Sequence, residues 1–241
     1  YKAAFINLTF TLHSGQSKLK LSLQRVNIHI PMRINPISDG EIMIIRQIII
    51  SGFDEFCYIV GSETSGTGAV IDPGGKAEII AEEAEKAGIR IEYIFHTHGH
   101  IDHTAGTGRL KELTGARVVR HRLEGGEGRV DILLDGEKNF TVGDIVFTIF
   151  HTPGHTPGGI CLYAGGNLFT GDTLFVGDSG RTDLPGSDRS ALGRSLRDLM
   201  ELPDDTVVWP GHDYGPTPNS TIAWEKRNNV NAREYGFYRG D

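Results

Sequence analysis

Cysteine is scarce in this chain, with only Cys57 and Cys161 among 241 residues. That supply excludes a disulfide framework, and both thiols lie in or beside apolar strand-like runs where burial is their expected fate. Long apolar runs are lacking too. Nothing reaches the roughly 18 residues a membrane span requires; the stretch from Ile42 to Ile50 is short and interrupted by Arg46. Positive charge is in deficit, with a formal net charge of -7, which argues against a phosphate-tracking groove and so against nucleic acid as a partner. Acidic residues are missing through Ser38, a span that carries Lys2, Lys18, Lys20, Arg25 and Arg33. An acid-poor, basic start can be an organelle-targeting segment, a fusion fragment, or sequence translated ahead of a start such as Met43. Residues 1–42 are therefore expected to be a non-core extension. Residues 43–241 are expected to form one domain with a substantial core. The expected compartment is the cytoplasm, with organelle targeting the lesser reading.

What is present in quantity is histidine, and half of it, five residues of ten, is placed in turns. The run Thr97-His98-Gly99-His100-Ile101-Asp102-His103 carries three imidazoles and a carboxylate, directly after the apolar stretch from Ile91 to Phe95. In an extended strand these side chains could not share an ion. In a tight loop at a strand end they divide into two sets, His98 with His100 and Asp102 with His103. Such nitrogen and oxygen donors suit borderline divalent metals. An expression tag would be homopolymeric and terminal, and an incidental surface cluster would have no matching donors downstream. Here three more follow in glycine- or proline-marked turns: His155 in PGHTPG, Asp172 in TGD, and His212 in PGH. Loops at strand ends are where scaffolds mount chemistry. His13, His29, His96, His121 and His151 lack such a setting, and His96 is expected only to support the loop. Asp72, before Pro73, is either a turn aspartate or a carboxylate that orients a ligand histidine.

Periodicity and punctuation predict strands at Ile44 to Ile50, Phe56 to Val60, Ala69 to Ile71 and up to Phe95. Others are predicted at Arg117 to Arg120, Val130 to Leu134, Phe140 to Val142, Ile145 to Phe150, Ile160 to Tyr163, Asn167 to Thr170 and Thr206 to Trp209. Helices are predicted at Gly75 to Gly88, Thr104 to Thr114, Asp188 to Met200 and Thr221 to Asn231. Two β-rich halves, each with helices, fit two sheets packed face to face under outer helices.

The ordered series HxHxDH, PGHTPG, TGD and PGH resembles that of the metallo-β-lactamase-fold hydrolase superfamily, over about residues 43 to 232. The resemblance implies an α+β fold, a four-layer αββα sandwich of two mixed β-sheets. Within it the chain looks most like the glyoxalase II (hydroxyacylglutathione hydrolase) branch and its relative, persulfide dioxygenase. By matching positions, His98, His100 and His155 would hold a first metal, Asp102, His103 and His212 a second, with Asp172 bridging. Asp102 and Asp172 would be the catalytic carboxylates. The implied cofactor is two divalent ions, zinc first, with iron or manganese compatible. Class B β-lactamases place other residues, including cysteine, in the second site. Flavodiiron proteins carry glutamate at the position of His100, and nucleic-acid-processing relatives carry large inserted domains.

Two chemistries follow from the resemblance. In a glyoxalase II-like enzyme a metal-bound hydroxide attacks a thioester of glutathione, and the oxyanion rests on metal. Tyr214 then falls where that family has a tyrosine near the glutathione backbone, and Arg181 where it has a basic residue. As alternatives, Tyr214 simply packs and Arg181 pairs with Asp178 or Asp183. In a persulfide dioxygenase a single iron is held by His98, His155 and Asp172, the two-histidine, one-carboxylate set of non-haem iron. Glyoxalase II proper has a longer basic helical region after the position of Thr221. Here about 20 residues follow, with Lys226, Arg227, Arg233 and Arg239 as substitutes, so a smaller thioester also fits. A non-catalytic metal-binding protein is the third reading. The partner expected is a small-molecule thioester or glutathione conjugate, with no membrane; homo-oligomerisation is left open.

Overall fold

The structure is a computed structural model that describes residues 32–36, 42–50, 54–125, 130–136 and 138–240. The first sheet takes strands β1 (Met32–Pro36), β2 (Ile42–Ile50), β3 (Glu55–Ser62), β4 (Thr67–Ile71), β5 (Arg90–Phe95), β6 (Arg117–His121) and β7 (Ile132–Leu134), ordered as in the chain. Between them lie helices α1 (Ala77–Lys86), α2 (Ile101–Thr104) and α3 (Thr107–Thr114). The first four strands run as an antiparallel meander, and β4 to β7 pair parallel. The second sheet takes β8 (Asn139–Val142), β9 (Ile145–His151), β10 (Ile160–Ala164) and β11 (Asn167–Gly171). A small hairpin, β12 (Leu174–Phe175) with β13 (Asp178–Ser179), and helix α4 (Arg189–Leu199) precede its last strands, β14 (Val207–Pro210) and β15 (Ser220–Thr221). Helix α5 (Ile222–Asn228) follows. The order is β15-β14-β11-β10-β9-β8, with β11 and β14 parallel.

Side chains alternate across each strand, so a strand buried on both faces feeds two cores. On β2 and β3, Met43, Ile45, Phe56, Tyr58 and Val60 point into the space between the sheets, where Phe95, Phe147, Phe169 and Trp209 meet them. Their alternates, Ile44, Ile48, Ile50, Cys57 and Ile59, pack outward against Ile80, Ala84 and Leu110 of α1 and α3. Cys161, Leu168 and Val208 of the second sheet pack outward against Leu192, Leu196 and Leu199 of α4. Each fully buried aliphatic or phenyl side chain contributes about 1.5–3 kcal/mol. The result is the four-layer αββα sandwich of two mixed sheets, and both cysteines are buried in its outer cores as expected.

Three segments differ from the sequence reading. The helix predicted from Thr104 to Thr114 is two pieces, because the Gly106 N–H bonds the Pro73 carbonyl at 2.8 Å and a Cβ there would meet that oxygen at 2.7 Å. The last helix stops at Asn228, where Asn229 turns extended and its amide bonds the Glu225 carboxylate at 2.8 Å. The boundary drawn at residue 42 cuts inside the first sheet, since Met32–Pro36 pairs antiparallel with Pro36↔Ile42 as the terminal partners. The earlier part of that extension, with His13 and His29, lies outside the described residues. Among the described residues no helix is long and apolar enough to cross a membrane.

Candidate metal centre

Both sheets end their parallel strands at one edge, and the donor side chains sit in the turns that follow. Thr97, His98 and His100 follow β5, while Asp102 and His103 ride on the single turn of α2. His155 lies between β9 and β10, Asp172 directly after β11, and His212 two residues after β14. Main-chain bonds close the sheets on each other here: Phe56 N–H to the Gly211 carbonyl at 2.8 Å, and Asp213 N–H to that of Asp54 at 2.8 Å.

The donors form two groups that meet at one carboxylate. His98 Nε2 and His155 Nε2 lie 3.0 and 3.1 Å from His100 Nδ1, and Asp172 Oδ2 lies 3.9 and 3.6 Å from the two Nε2 atoms. In the second group His212 Nε2 is 3.1 Å from His103 Nε2 and 3.6 Å from Asp102 Oδ2. Asp172 reaches this group too, with Oδ1 3.3 Å from His103 Nε2 and Oδ2 3.6 Å from His212 Nε2. The room is made by Gly211, where a Cβ would stand 2.4 Å from Asp172 Oδ1 and 2.9 Å from His103 Cε1. All seven side chains singled out in the sequence as metal ligands are thus brought to one pocket.

Their outward atoms are fixed. His155 Nδ1–H donates to the Arg181 main-chain carbonyl at 2.9 Å, which turns Nε2 towards the pocket. His103 Nδ1 pairs with Asp72 Oδ2 at 3.0 Å, and Asp72 also accepts from Thr97 N–H at 2.7 Å and from its hydroxyl at 2.5 Å. Of the two readings for Asp72, the geometry supports the orienting carboxylate. Its backbone sits in the left-handed region at φ 53°, a conformation non-glycine residues keep only when surroundings over-determine it. His96, as expected, supports the loop from outside through a 2.8 Å contact between Nε2 and Thr107 Oγ1.

The electrostatics suit a cation. Burial, reinforced by the neighbouring imidazole of His103, holds His98 well below the ordinary imidazole range, and burial lowers His100 as well. Neutral imidazole is the ligand form. Burial opposes charge on Asp172, yet the attraction and hydrogen bonds of His103 and His212 outweigh it and keep the carboxylate ionised. Burial likewise opposes charge on His103, and Asp172 and Asp72 outweigh it, so a proton competes with a cation for the same Nε2. Buried Asp172 Oδ1 accepts no well-formed hydrogen bond. Several ring nitrogens converging at about 3 Å on a buried ionised carboxylate are what a divalent ion satisfies.

The chain matches the model of the Metallo-beta-lactamase superfamily over residues 51–212. The chain belongs to that superfamily. Among its members it is 36% identical over 173 residues to a hydroxyacylglutathione hydrolase of Anaeromyxobacter dehalogenans, a match that covers 71% of this chain and 66% of that protein. The hydroxyacylglutathione hydrolase GloC of Haemophilus influenzae is 31% identical over 210 residues, covering 78% of this chain and 97% of that one. The crystal structure of ETHE1 from Myxococcus xanthus superposes with a TM-score of 0.75 at 34% identity, covering 81% of this chain and 88% of that one.

The rim residues stand apart from the donors. Tyr214 is 60% exposed and stacks on His212, with ring centroids 4.6 Å apart and planes 8° from parallel. Arg181 is engaged with Asp183 through two bonds of 2.6 and 2.7 Å, the pairing weighed as its alternative role. Of the C-terminal basic residues, Lys226 pairs with Asp204, and Arg233 lies over the Tyr238 ring at 3.9 Å. Two residues the sequence reading passed over matter here. Glu55 is fully buried beside the second group with neither oxygen hydrogen-bonded, and burial with the nearby carboxylates pushes it up to about 9 against the opposing pull of His103. Glu124 bonds two of the donor loops at once. Neither lies in a motif; their positions depend on contacts from distant parts of the chain.

Proposed function

We propose that this chain is a metal-dependent thioester hydrolase acting on a glutathione thioester or a smaller relative, with two divalent cations, zinc first among them. The observation that carries the reading is the position of Asp172, within 3.6 Å of His155 on one side and of His103 and His212 on the other, the arrangement a two-cation hydrolytic site uses. His98, His100 and His155 would hold one cation, Asp102, His103 and His212 the other, and Asp172 both. Cations bound there supply Lewis acidity and a water ionised near pH 7.

The chain's own groups complete the reaction. Asp102 is the more exposed of the two carboxylates in the donor groups, so the oxygen it does not turn to a cation can orient the incoming water and take its proton. A thiolate leaves without a strong general acid. Tyr214 presents an exposed phenol beside His212 for the peptide portion of the substrate. Arg181 reaches a substrate carboxylate by exchanging its bond to Asp183, a geometry to which guanidinium is suited. The relatives named hydroxyacylglutathione hydrolases support this reading.

A second reading, a persulfide dioxygenase with one iron on His98, His155 and Asp172, is favoured by the likeness to ETHE1. Protein purified anaerobically and analysed for metals decides between them. Two zincs per chain with oxygen-independent cleavage of S-lactoylglutathione is expected. One iron per chain, with oxygen consumed and sulfite formed from glutathione persulfide, would replace the first reading by the second. Turnover of neither substrate by fully loaded protein would sink both.

A further inference from the structure

The three imidazoles of the first donor group come from loops of different sheets. His98 and His100 follow β5, and His155 lies between β9 and β10. At their base the loops share one main-chain bond, Ile160 N–H to the Thr97 carbonyl at 2.8 Å. Above that base, the carboxylate of Glu124 bridges them. Its Oε2 accepts the N–H of Gly99, the residue between His98 and His100, at 2.7 Å. Its Oε1 accepts the N–H of Gly158, three residues past His155, at 2.8 Å.

The fit at this bridge is close on both sides. Glu124 is buried in the turn that follows β6, where its own N–H bonds the His121 carbonyl at 3.0 Å. A Cβ on Gly99 would meet the Gly125 carbonyl at 2.3 Å, and one on Gly158 would meet Glu124 N at 2.7 Å. Both loops therefore need glycine because the 123–125 turn backs directly onto them. A buried carboxylate in this place makes two charge-assisted bonds, roughly twice as strong as neutral ones, and the buried Arg120 guanidinium on β6 offsets its charge. Donor geometry must be held to within about 0.5 Å for a cation site to keep its affinity.

We propose that Glu124 is a positioning residue for the first cation: its two carboxylate oxygens set the spacing between the His98/His100 loop and the His155 loop. The proposal rests on the two-group reading of the pocket. It makes Glu124 specific to one half of that pocket, because no hydrogen bond links it to Asp102, His103 or His212 among the described contacts.

The test measures zinc affinity of the metal-stripped full chain, by competition with a chromophoric chelator, in two backgrounds. His103→Ala leaves the first group alone, and His98→Ala the second. Glu124→Gln, which keeps the volume but only one acceptor oxygen, is expected to weaken zinc in the His103→Ala background by about 10- to 100-fold. In the His98→Ala background it should leave affinity unchanged, while any fall in the melting temperature of the stripped protein should be the same in both backgrounds. Glu124→Ala should act in the same direction and further. Equal weakening in both backgrounds, no change in either, or failure of both variants to fold overturns the proposal; the last would show the carboxylate holding the fold rather than the cation. Absence of zinc binding by the unsubstituted chain would instead sink the two-group reading itself.

Discussion

The two halves of the pocket are built by different means. The second half is anchored from below by a charged side chain: Asp72 holds His103 and the Thr97 backbone together, and His103 and His212 are almost wholly buried. The first half rests on a different buried carboxylate, Glu124, which holds no ligand ring but the main-chain amides of Gly99 and Gly158, and on the Arg181 carbonyl that holds His155. In the second half the carboxylate bonds a ligand imidazole directly and fixes that ring. In the first half the carboxylate bonds loop backbone and fixes how two loops stand in register. The same edge of the sandwich thus offers one site oriented at the ring and one oriented at the loop.

Asp172→Ala breaks the comparison outright, because it removes the atom pair both halves share. Both equivalents of metal and essentially all turnover should be lost, read by elemental analysis and thioester assay; retained turnover would overturn the ligand assignment. His103→Ala should empty the second half while the first keeps one equivalent. Two-cation hydrolysis should fall by about 100-fold or more, the scale of losing an electrostatic contributor to the transition state. A single-iron dioxygenase would lose far less, so the ratio of the two activities reports which reading holds. Asp72→Asn keeps the shape but removes the charge behind His103. Affinity of the second half should drop by about 10- to 100-fold, and an equal loss in the first half would show that the anchors are not separate.

The effect expected at Glu55 falls on stability alone, with metal and turnover left as they are. Its carboxyl is held neutral up to about 9 in the folded protein, against an ordinary value of 4.5. A raised carboxyl binds its proton more tightly when folded, so its contribution is full below 4.5 and is lost as pH rises from there towards 9. At pH 7 the difference is at most about 3 kcal/mol, at 1.36 kcal/mol per pKa unit. In metal-stripped protein, Glu55→Gln should raise the melting temperature relative to the parent at pH 7 to 8 and leave it nearly unchanged at pH 4. A gain that does not grow with pH would show that the parent carboxyl is not neutral.

Much of this was legible in the chain. The strands came from period-two alternation, and Met43 and Ile45 against Ile44 and Ile48 divide between two cores as that alternation requires. Helix α4 was marked by Asp188, whose side chain accepts the Ala191 N–H at 2.9 Å as a helix-starting residue should. The donor residues were legible because each sits in a glycine- or proline-marked turn after an apolar strand. The two-residue strands β12, β13 and β15 were not, since so short a segment carries no periodicity. Glu124 and Glu55 were hidden for another reason. A glutamate at a strand's first position or just past its end reads as solvated, and only the arrival of Gly99 and Gly158 at Glu124, or of His212 at Glu55, gives it a role.

The main-chain bonds between Asp54–Phe56 and Gly211–Asp213 have a consequence for durability. They are few, and they lie beside the pocket, so cations held by β5 and α2 on one side and by the turns after β11 and β14 on the other would act as rivets through the sandwich. Ligand held by the folded state alone adds RT ln(1 + [L]/Kd) to its stability, about 2.7 kcal/mol at a hundredfold excess over Kd. Storage in chelator should therefore shorten the working life of the protein on warming, with the seam between its sheets opening first.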